Sequence, residues 1–279
     1  MSLGLRITVL VEDTVYQSGL LAEHGLSFWI EYEGHNILFD TGQTDILLHN
    51  ARALGIDIAS VDAVVLSHGH YDHTGGLAAV LGLSPQVPVY CHSQSLEPKY
   101  HIDDSTPRNV GTPSVVKERL LLVECQGQLT YTDQITEIVP GVSATGTIPR
   151  KHAFEQPPRG FYLDREGQTP DLIDDDQALF YNTDQGVVIV LGCAHAGVVN
   201  TLDYIQQRVE DRCIYAVIGG MHLLGAGPDR LSETLASFQR MNIQTIAPGH
   251  CTGPYAIAHF NDTLSNRCVP CSTGVIIDL

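Results

Sequence analysis

The chain has 279 residues, 43% apolar and 17% charged, with 15 basic against 32 acidic side chains and a net charge of −17. That length is enough to bury a real core, and the low charge content without like-charge blocks argues against long disordered tails. The acidic balance counts against a nucleic-acid partner, which needs a basic face, and no apolar run reaches the ~18 residues that span a bilayer.

The first stretch, LRITVLVED, reads as a strand, with Met1 to Leu3 expected to lie outside the fold. It lacks the charged, apolar and small regions of a secretory signal, so a cytoplasmic location is expected. LSFWIEYEGHNILFDTG reads as a hairpin turning at Glu33-Gly34-His35-Asn36. TDILLHNARALGI has helical spacing, VDAVVLSH is a buried strand, GGLAAVLGL a helix and QVPVYCH a further strand. From about residue 93 to 175 the periodicity breaks. Prolines stand at 98, 107, 113, 140, 149, 157, 158 and 170, and basic residues gather there. This segment is expected to be short strands and long loops covering a site. Alternation then returns. DQALFYNTDQGVVIVLGCAH is a strand pair, AGVVNTLDYIQQRVE a helix, IYAVIGGMH a strand and PDRLSETLASFQRMN a helix. IQTIAPGH is a strand, PYAIAHFNDTL a helix, and GVIIDL a closing strand. Alternating strands and helices without a marked linker predict one α/β domain over residues 1–279.

Four strands run into a small or polar turn that carries a histidine: AVVLSHGH, VVIVLGCAH, YAVIGGMH and TIAPGH. A fifth, NILFDTG, ends in Asp40 instead. If neighbouring strands end on one edge, those side chains converge. In LSHGHYDHTGG, His68 and His70 are two apart in extended chain and point to one side. Asp72 and His73 follow a turn and aim at the same volume, with Gly69, Gly75 and Gly76 permitting the turn. One such histidine would be read as a hydrogen-bonding loop residue. Four donors of this chemistry at this spacing point to a metal site.

His195 and His250 are the distant candidate ligands, giving enough donors for two divalent ions, zinc first, with manganese or iron as alternatives. Two ions ~3.5–4 Å apart can share a hydroxide that acts as nucleophile at neutral pH. His222 is a candidate ligand or a group presented to substrate.

HGHYDHTGG is similar to the H-x-H-x-D-H signature of the metallo-β-lactamase superfamily. ILFDTG, GCAHAGVVNTL, GGMHL and APGHCTG together resemble its branch named for 7,8-dihydropterin-6-methyl-4-(β-D-ribofuranosyl)aminobenzene 5′-phosphate synthase. The resemblance implies a four-layer αββα sandwich with the metal site at one edge of its sheets. It implies His68, His70, Asp72, His73 and His250 as ligands and Asp40 as a buried acid beside them. One position departs from the pattern. Where many members carry a glycine and a bridging aspartate, this chain has Gly192-Cys193, so His195, Cys193 and Asp176 compete for the bridging place.

The remaining signals are weaker. Cys268 and Cys271 form a C-x-x-C with no second pair, and read as ordinary thiols near the site. Seven cysteines, an odd number in a large chain, suit reduced thiols better than disulfides. The acidic run DLIDDDQ reads as solvated surface. Arg150 and Lys151 are the candidate holders of a substrate phosphate or carboxylate.

The expected function is a metal-dependent hydrolase acting through a metal-bound hydroxide on a small, anionic, phosphorylated or ester-type substrate. Asp72 would orient the nucleophile, and His222 or His195 would protonate the leaving group. The branch implies an alternative, a synthase joining a dihydropterin methyl pyrophosphate to a ribofuranosylaminobenzene phosphate. An RNA-processing nuclease and a non-catalytic metal-binding protein are the rivals from other classes.

Overall fold

The computed structural model describes residues 4–103, 106–209, 212–264 and 266–279; the expectation for Met1 to Leu3 concerns residues outside that set. In chain order the N-terminal elements are β1 (Arg6–Val11), β2 (Ser27–Tyr32), β3 (His35–Phe39), α1 (Ile46–Ala53), β4 (Ala63–Val65), α2 (Tyr71–Thr74), α3 (Leu77–Leu83) and β5 (Val89–Cys91). Next come β6 (Tyr100–Asp103), β7 (Thr106–Asn109), α4 (Ser114–Cys125), β8 (Leu129–Tyr131), β9 (Thr136–Val139), β10 (Val142–Ala144) and β11 (Phe161–Tyr162). The C-terminal series is β12 (Ala178–Thr183), β13 (Gly186–Leu191), α5 (Val198–Gln206), β14 (Ile214–Gly220), α6 (Pro228–Arg240), β15 (Thr245–Gly249), α7 (Pro254–Thr263) and β16 (Ile276–Asp278).

These elements form two compact units. The first comprises residues 1–133, 158–175 and 272–279, and the second residues 134–157 and 176–271. The first holds a seven-stranded sheet in the order β16-β1-β2-β3-β4-β5-β8 and a small three-stranded sheet, β11-β6-β7. Its antiparallel half is the predicted hairpin plus both chain ends. Tyr32 pairs with His35, so the turn is only Glu33-Gly34, tighter than the four-residue turn expected. β3, β4, β5 and β8 run parallel. Leu38, Val64, Leu66 and Val89 from the sheet pack with Leu47 and Ala51 of α1, Leu77 and Val80 of α3, and Val116 and Leu120 of α4.

The second unit holds a six-stranded sheet, β15-β14-β13-β12-β10-β9, in which β13, β14 and β15 are parallel. Phe180, Ile189, Val217 and Ile246 pack with Val199 and Leu202 of α5, Leu231 and Phe238 of α6, and Phe260 of α7. β13 is buried along its whole length, which is why VVIVL reads as an unbroken apolar run instead of an alternating one.

The segment from 93 to 175 departs from expectation. It contains a 12-residue helix, α4, and its residues divide between the two units. Among the described residues no helix is long and apolar enough to cross a membrane.

Candidate functional site

In the first unit, β3 and β4 are parallel neighbours, and their C-terminal ends deliver Asp40 and the Ser67-His68 pair to one place. Asp40 is fully buried and has a left-handed φ of 60°, which turns its carboxylate off the strand line. Its oxygens accept the Ser67 N–H at 2.7 Å, the Ser67 hydroxyl at 2.6 Å and the His73 Nδ1–H at 2.6 Å. The last bond leaves Nε2 of His73 as the lone-pair nitrogen. The Ser67 hydroxyl hydrogen goes to Asp40, so Ser67 Oγ accepts from His68 Nδ1 at 2.9 Å and leaves His68 Nε2 as the second lone-pair nitrogen. One buried carboxylate thus sets the tautomers of two imidazoles, one directly and one through a hydroxyl.

His68 Nε2 lies 2.9 Å from His70 Nδ1, as expected for two histidines sharing one side of an extended segment. Burial, with the neighbouring imidazoles, pushes His68 well below the ordinary histidine value; burial pushes His70 down to about 3. Both rings are therefore neutral at physiological pH, the form that ligates a cation. Asp72, on the short helix α2, places a carboxylate oxygen 3.7 Å from His73 Nε2. Neutral imidazole nitrogens with fixed tautomers beside a buried carboxylate are a donor set that fits a divalent cation.

Three supports in this unit had no clear signal in the sequence. His24 bridges two carboxylates, with Nε2 3.3 Å from Asp72 and Nδ1 3.1 Å from Asp13. Phe161 stacks on His70 with centroids 5.3 Å apart, so the 93–175 segment does reach the histidine cluster. Lys99, 1% exposed, pairs with Asp175 at 2.8 Å and Asp171 at 3.0 Å. Asp175 also accepts the N–H of Gly69, the residue between His68 and His70, at 2.7 Å. Burial works against the Lys99 charge, but the two carboxylates outweigh it and hold the ammonium above its ordinary value. Burial likewise opposes ionised Asp175, and Lys99 outweighs it and holds the carboxyl low. The reading of DLIDDDQ as solvated surface is thus corrected: Asp171, Asp175 and Asp176 are all buried, because each has a donor waiting for it.

The glycines of the motif also serve differently than expected. None of Gly69, Gly75 and Gly76 has a positive φ. A Cβ on Gly69 would stand 2.2 Å from the Ser95 carbonyl oxygen, and one on Gly75 2.0 Å from that of Gln43. They are there for close backbone approach. Gly69→Ala is expected to cost about 1–3 kcal/mol through overpacking against backbone that cannot yield, read as a lowered denaturation midpoint.

In the second unit, β13, β14 and β15 are adjacent and parallel, and His195, His222 and His250 follow their C-terminal ends. The convergence expected from the strand-end pattern holds inside this unit. The His195 and His222 ring centroids are 4.4 Å apart. His195 and His250 are buried; His222 is partly exposed, with a buried Nδ1 that has no hydrogen-bond partner among the described residues. Asp176 accepts the Ala196 N–H at 2.9 Å and so braces the loop that presents His195. Cys193 is buried in the same loop. Cys251 follows His250. Burial raises this thiol, but hydrogen bonding with Cys193 and His222 and the nearby His250 bring it well below its ordinary value. Cys271 is buried, and a Cβ on Gly249 would meet its Sγ at 3.0 Å, so one member of the C-x-x-C does lie beside the His250 turn. Arg150 is partly buried, and the Lys151 ammonium meets the Gln207 amide on α5 at 3.3 Å.

A sequence model of the metallo-beta-lactamase superfamily matches residues 21–204. The chain belongs to the metallo-β-lactamase superfamily. It is 31% identical over 261 residues to 7,8-dihydropterin-6-methyl-4-(beta-D-ribofuranosyl)-aminobenzene-5'-phosphate synthase of Methanocaldococcus jannaschii, covering 90% of this chain and 88% of that one. It is also 31% identical over 249 residues to uncharacterized protein MJ0448 of the same organism, covering 88% of this chain and 90% of that one. The crystal structure of Tm1679, described as a metal-dependent hydrolase of the beta-lactamase superfamily, matches with a TM-score of 0.83 at 32% identity, over 99% of each chain. The α/β fold expected from the histidine signature is therefore the metallo-β-lactamase fold, and the His, Asp and Cys clusters at its strand ends are of the kind that can hold metal ions.

Proposed function

We propose that this metallo-β-lactamase superfamily member is a metal-dependent hydrolase of small anionic substrates carrying a phosphoryl or ester-type group. His68, His70, Asp72 and His73 of the first unit and His195 and His250 of the second are proposed as ligands for two divalent ions, zinc first, with manganese or iron as alternatives. The observation that carries this reading is the Asp40 array, which holds the lone-pair nitrogens of His68 and His73 in fixed orientation beside His70 and Asp72. An apolar pocket filler would not need tautomer control. The likeness to Tm1679 supports the hydrolytic class.

Divalent cations supply Lewis acidity toward a phosphoryl or acyl oxygen and lower the pKa of water. The side chains do the rest. Asp72 accepts a hydrogen from the attacking water and orients it, with His24 holding the carboxylate from behind. His222, whose Nδ1 has no hydrogen-bond partner among the described residues, protonates the leaving group. Phe161, stacked on His70, keeps bulk water from one face of that ring. Lys151, whose ammonium meets the neutral Gln207 amide, and Arg150 attract the anionic end of the substrate. A cytoplasmic location, with the cysteines kept as thiols, belongs to the same reading.

The test is turnover before and after chelation. Metal-stripped protein should be inactive toward a generic phosphodiester and a thioester, and zinc or manganese should restore at least one activity. Retention of activity after complete metal removal, or no turnover by any reconstituted form, would overturn the hydrolase reading. The 31% identity over 90% of the chain favours one second reading, the synthase. There, supplying a dihydropterin methyl pyrophosphate with a ribofuranosylaminobenzene phosphate would yield pyrophosphate and a joined product, where a hydrolase would release the unjoined alcohol.

A further inference from the structure

The C-terminal edge of the second unit carries sulfur as well as nitrogen. Cys193 follows β13, and Cys251 follows His250 in the short turn after β15. One donor atom from each of Cys193, His250 and Cys251 lies within 4.8 Å of the others. Space for this is built into the backbone. Gly220 ends β14 between them, and a Cβ there would stand 2.7 Å from Cys251 Sγ and 3.3 Å from Cys193 Cα. The His222 N–H donates to Cys251 Sγ at 3.3 Å, a bond of the kind that orients a metal-binding sulfur. As a thiol, Cys251 donates in turn to the Cys193 carbonyl at 3.4 Å. Ala194, His222 and His250, each adjacent to one of these groups, hold left-handed φ values of 53°, 47° and 51°. Strained non-glycine residues at three successive strand ends persist only where the surroundings hold them, and such strain gathers at functional sites.

We propose that Cys193, His250 and Cys251 form a sulfur-rich metal subsite that selects a thiophilic divalent ion, zinc above all, over manganese or magnesium. The proposal rests on the metal-dependent reading and adds Cys251 as a ligand and metal choice as its consequence. Thiolate donors are soft and favour zinc, cobalt and iron(II), whereas manganese and magnesium favour oxygen. A tetrahedral zinc about 2.3 Å from sulfur and 2.0 Å from nitrogen needs donor separations of roughly 4 Å or less, and the three donor atoms here lie within 4.8 Å of one another.

Cobalt(II) is the probe. Apo protein loaded with cobalt should show the near-ultraviolet absorption of sulfur-to-cobalt charge transfer. Cys193→Ser and Cys251→Ser should each remove about half of the intensity per bound cobalt, and the double variant all of it. Zinc should bleach the spectrum, and manganese in hundredfold excess should leave it unchanged. Cys251→Ser should weaken zinc binding about 10–100-fold with unchanged circular dichroism. Cobalt binding without the sulfur band in the wild-type protein, a band insensitive to Cys251→Ser or Cys251→Ala, or no cobalt binding would each overturn the proposal. The band with no turnover would leave it standing and count against the hydrolase; turnover without the band would do the reverse.

Discussion

Asp40→Ala is expected to lower zinc affinity by about 10–100-fold and to reduce turnover in proportion, because on the proposed reading this carboxylate orients the imidazole ligands through hydrogen bonds. In the wild-type protein it accepts three hydrogen bonds, two from Ser67 and one from His73, and through Ser67 it also fixes His68. Alanine removes both carboxylate oxygens and with them all three bonds. The Ser67 N–H then becomes a buried donor with no partner, and the His73 proton is free to sit on Nε2, the nitrogen that should carry the lone pair. The loss should therefore appear in metal affinity measured by competition with a chromophoric chelator, as well as in activity. Asp40→Asn keeps the volume and one acceptor and should fall between the two. Wild-type zinc affinity in Asp40→Ala would show that the array does not orient the imidazoles.

Lys99→Ala is expected to be the most destabilising single change away from the histidines, at about 3–5 kcal/mol. The reason is what remains. Asp171 and Asp175 stay buried, and neither keeps its cation. Removing all three charges together, as Lys99→Met with Asp171→Asn and Asp175→Asn, should cost far less than the single change, since no unpaired charge is left. The pH dependence follows from the directions of the two shifts. Asp175 is held below its ordinary 3.8, so its contribution is present above that value and is lost as pH falls through the lower folded-state value. Lys99 is held above its ordinary 10.5, so its contribution is present below that value and is lost as pH rises through the higher one. Urea denaturation across pH should show both limbs flattened in the triple variant. A Lys99→Ala protein with wild-type stability would contradict the burial of a charge triad. Because Asp175 also holds the Gly69 N–H, zinc affinity should fall along with stability.

The strand ends were legible in the sequence because they combine two independent periodicities. An apolar run fixes a buried strand, and a small residue before a histidine fixes where the side chain leaves the sheet. That is why the sequence places His68, His195, His222 and His250 at strand ends, and Asp40 at the end of its own strand. Helix α4 was not legible. Val116, Leu120 and Val123 face inward at helical spacing, but the outer face mixes exposed Val115, Leu121 and Leu122 with Glu118, Arg119 and Glu124, so the apolar stripe contrasts only weakly with it. The prolines around it strengthened the loop reading. Lys99, Asp171 and Asp175 were missed for a different reason. Charges far apart in sequence read as surface until their pairing is known, and only the fold supplies the pairing. His24 and the approach of Cys251 to Cys193 are likewise tertiary facts, carried by a loop and by a single glycine at position 220.

The account depends above all on side chains of the strand ends holding divalent ions. Anomalous diffraction at the zinc edge from crystals of zinc-loaded protein measures this directly. It should place zinc about 2.0–2.1 Å from the ring nitrogens of His68 and His70, with a further zinc at that distance from His250. Crystals soaked in excess zinc that show no anomalous peak within bonding distance of any of these histidines would contradict it.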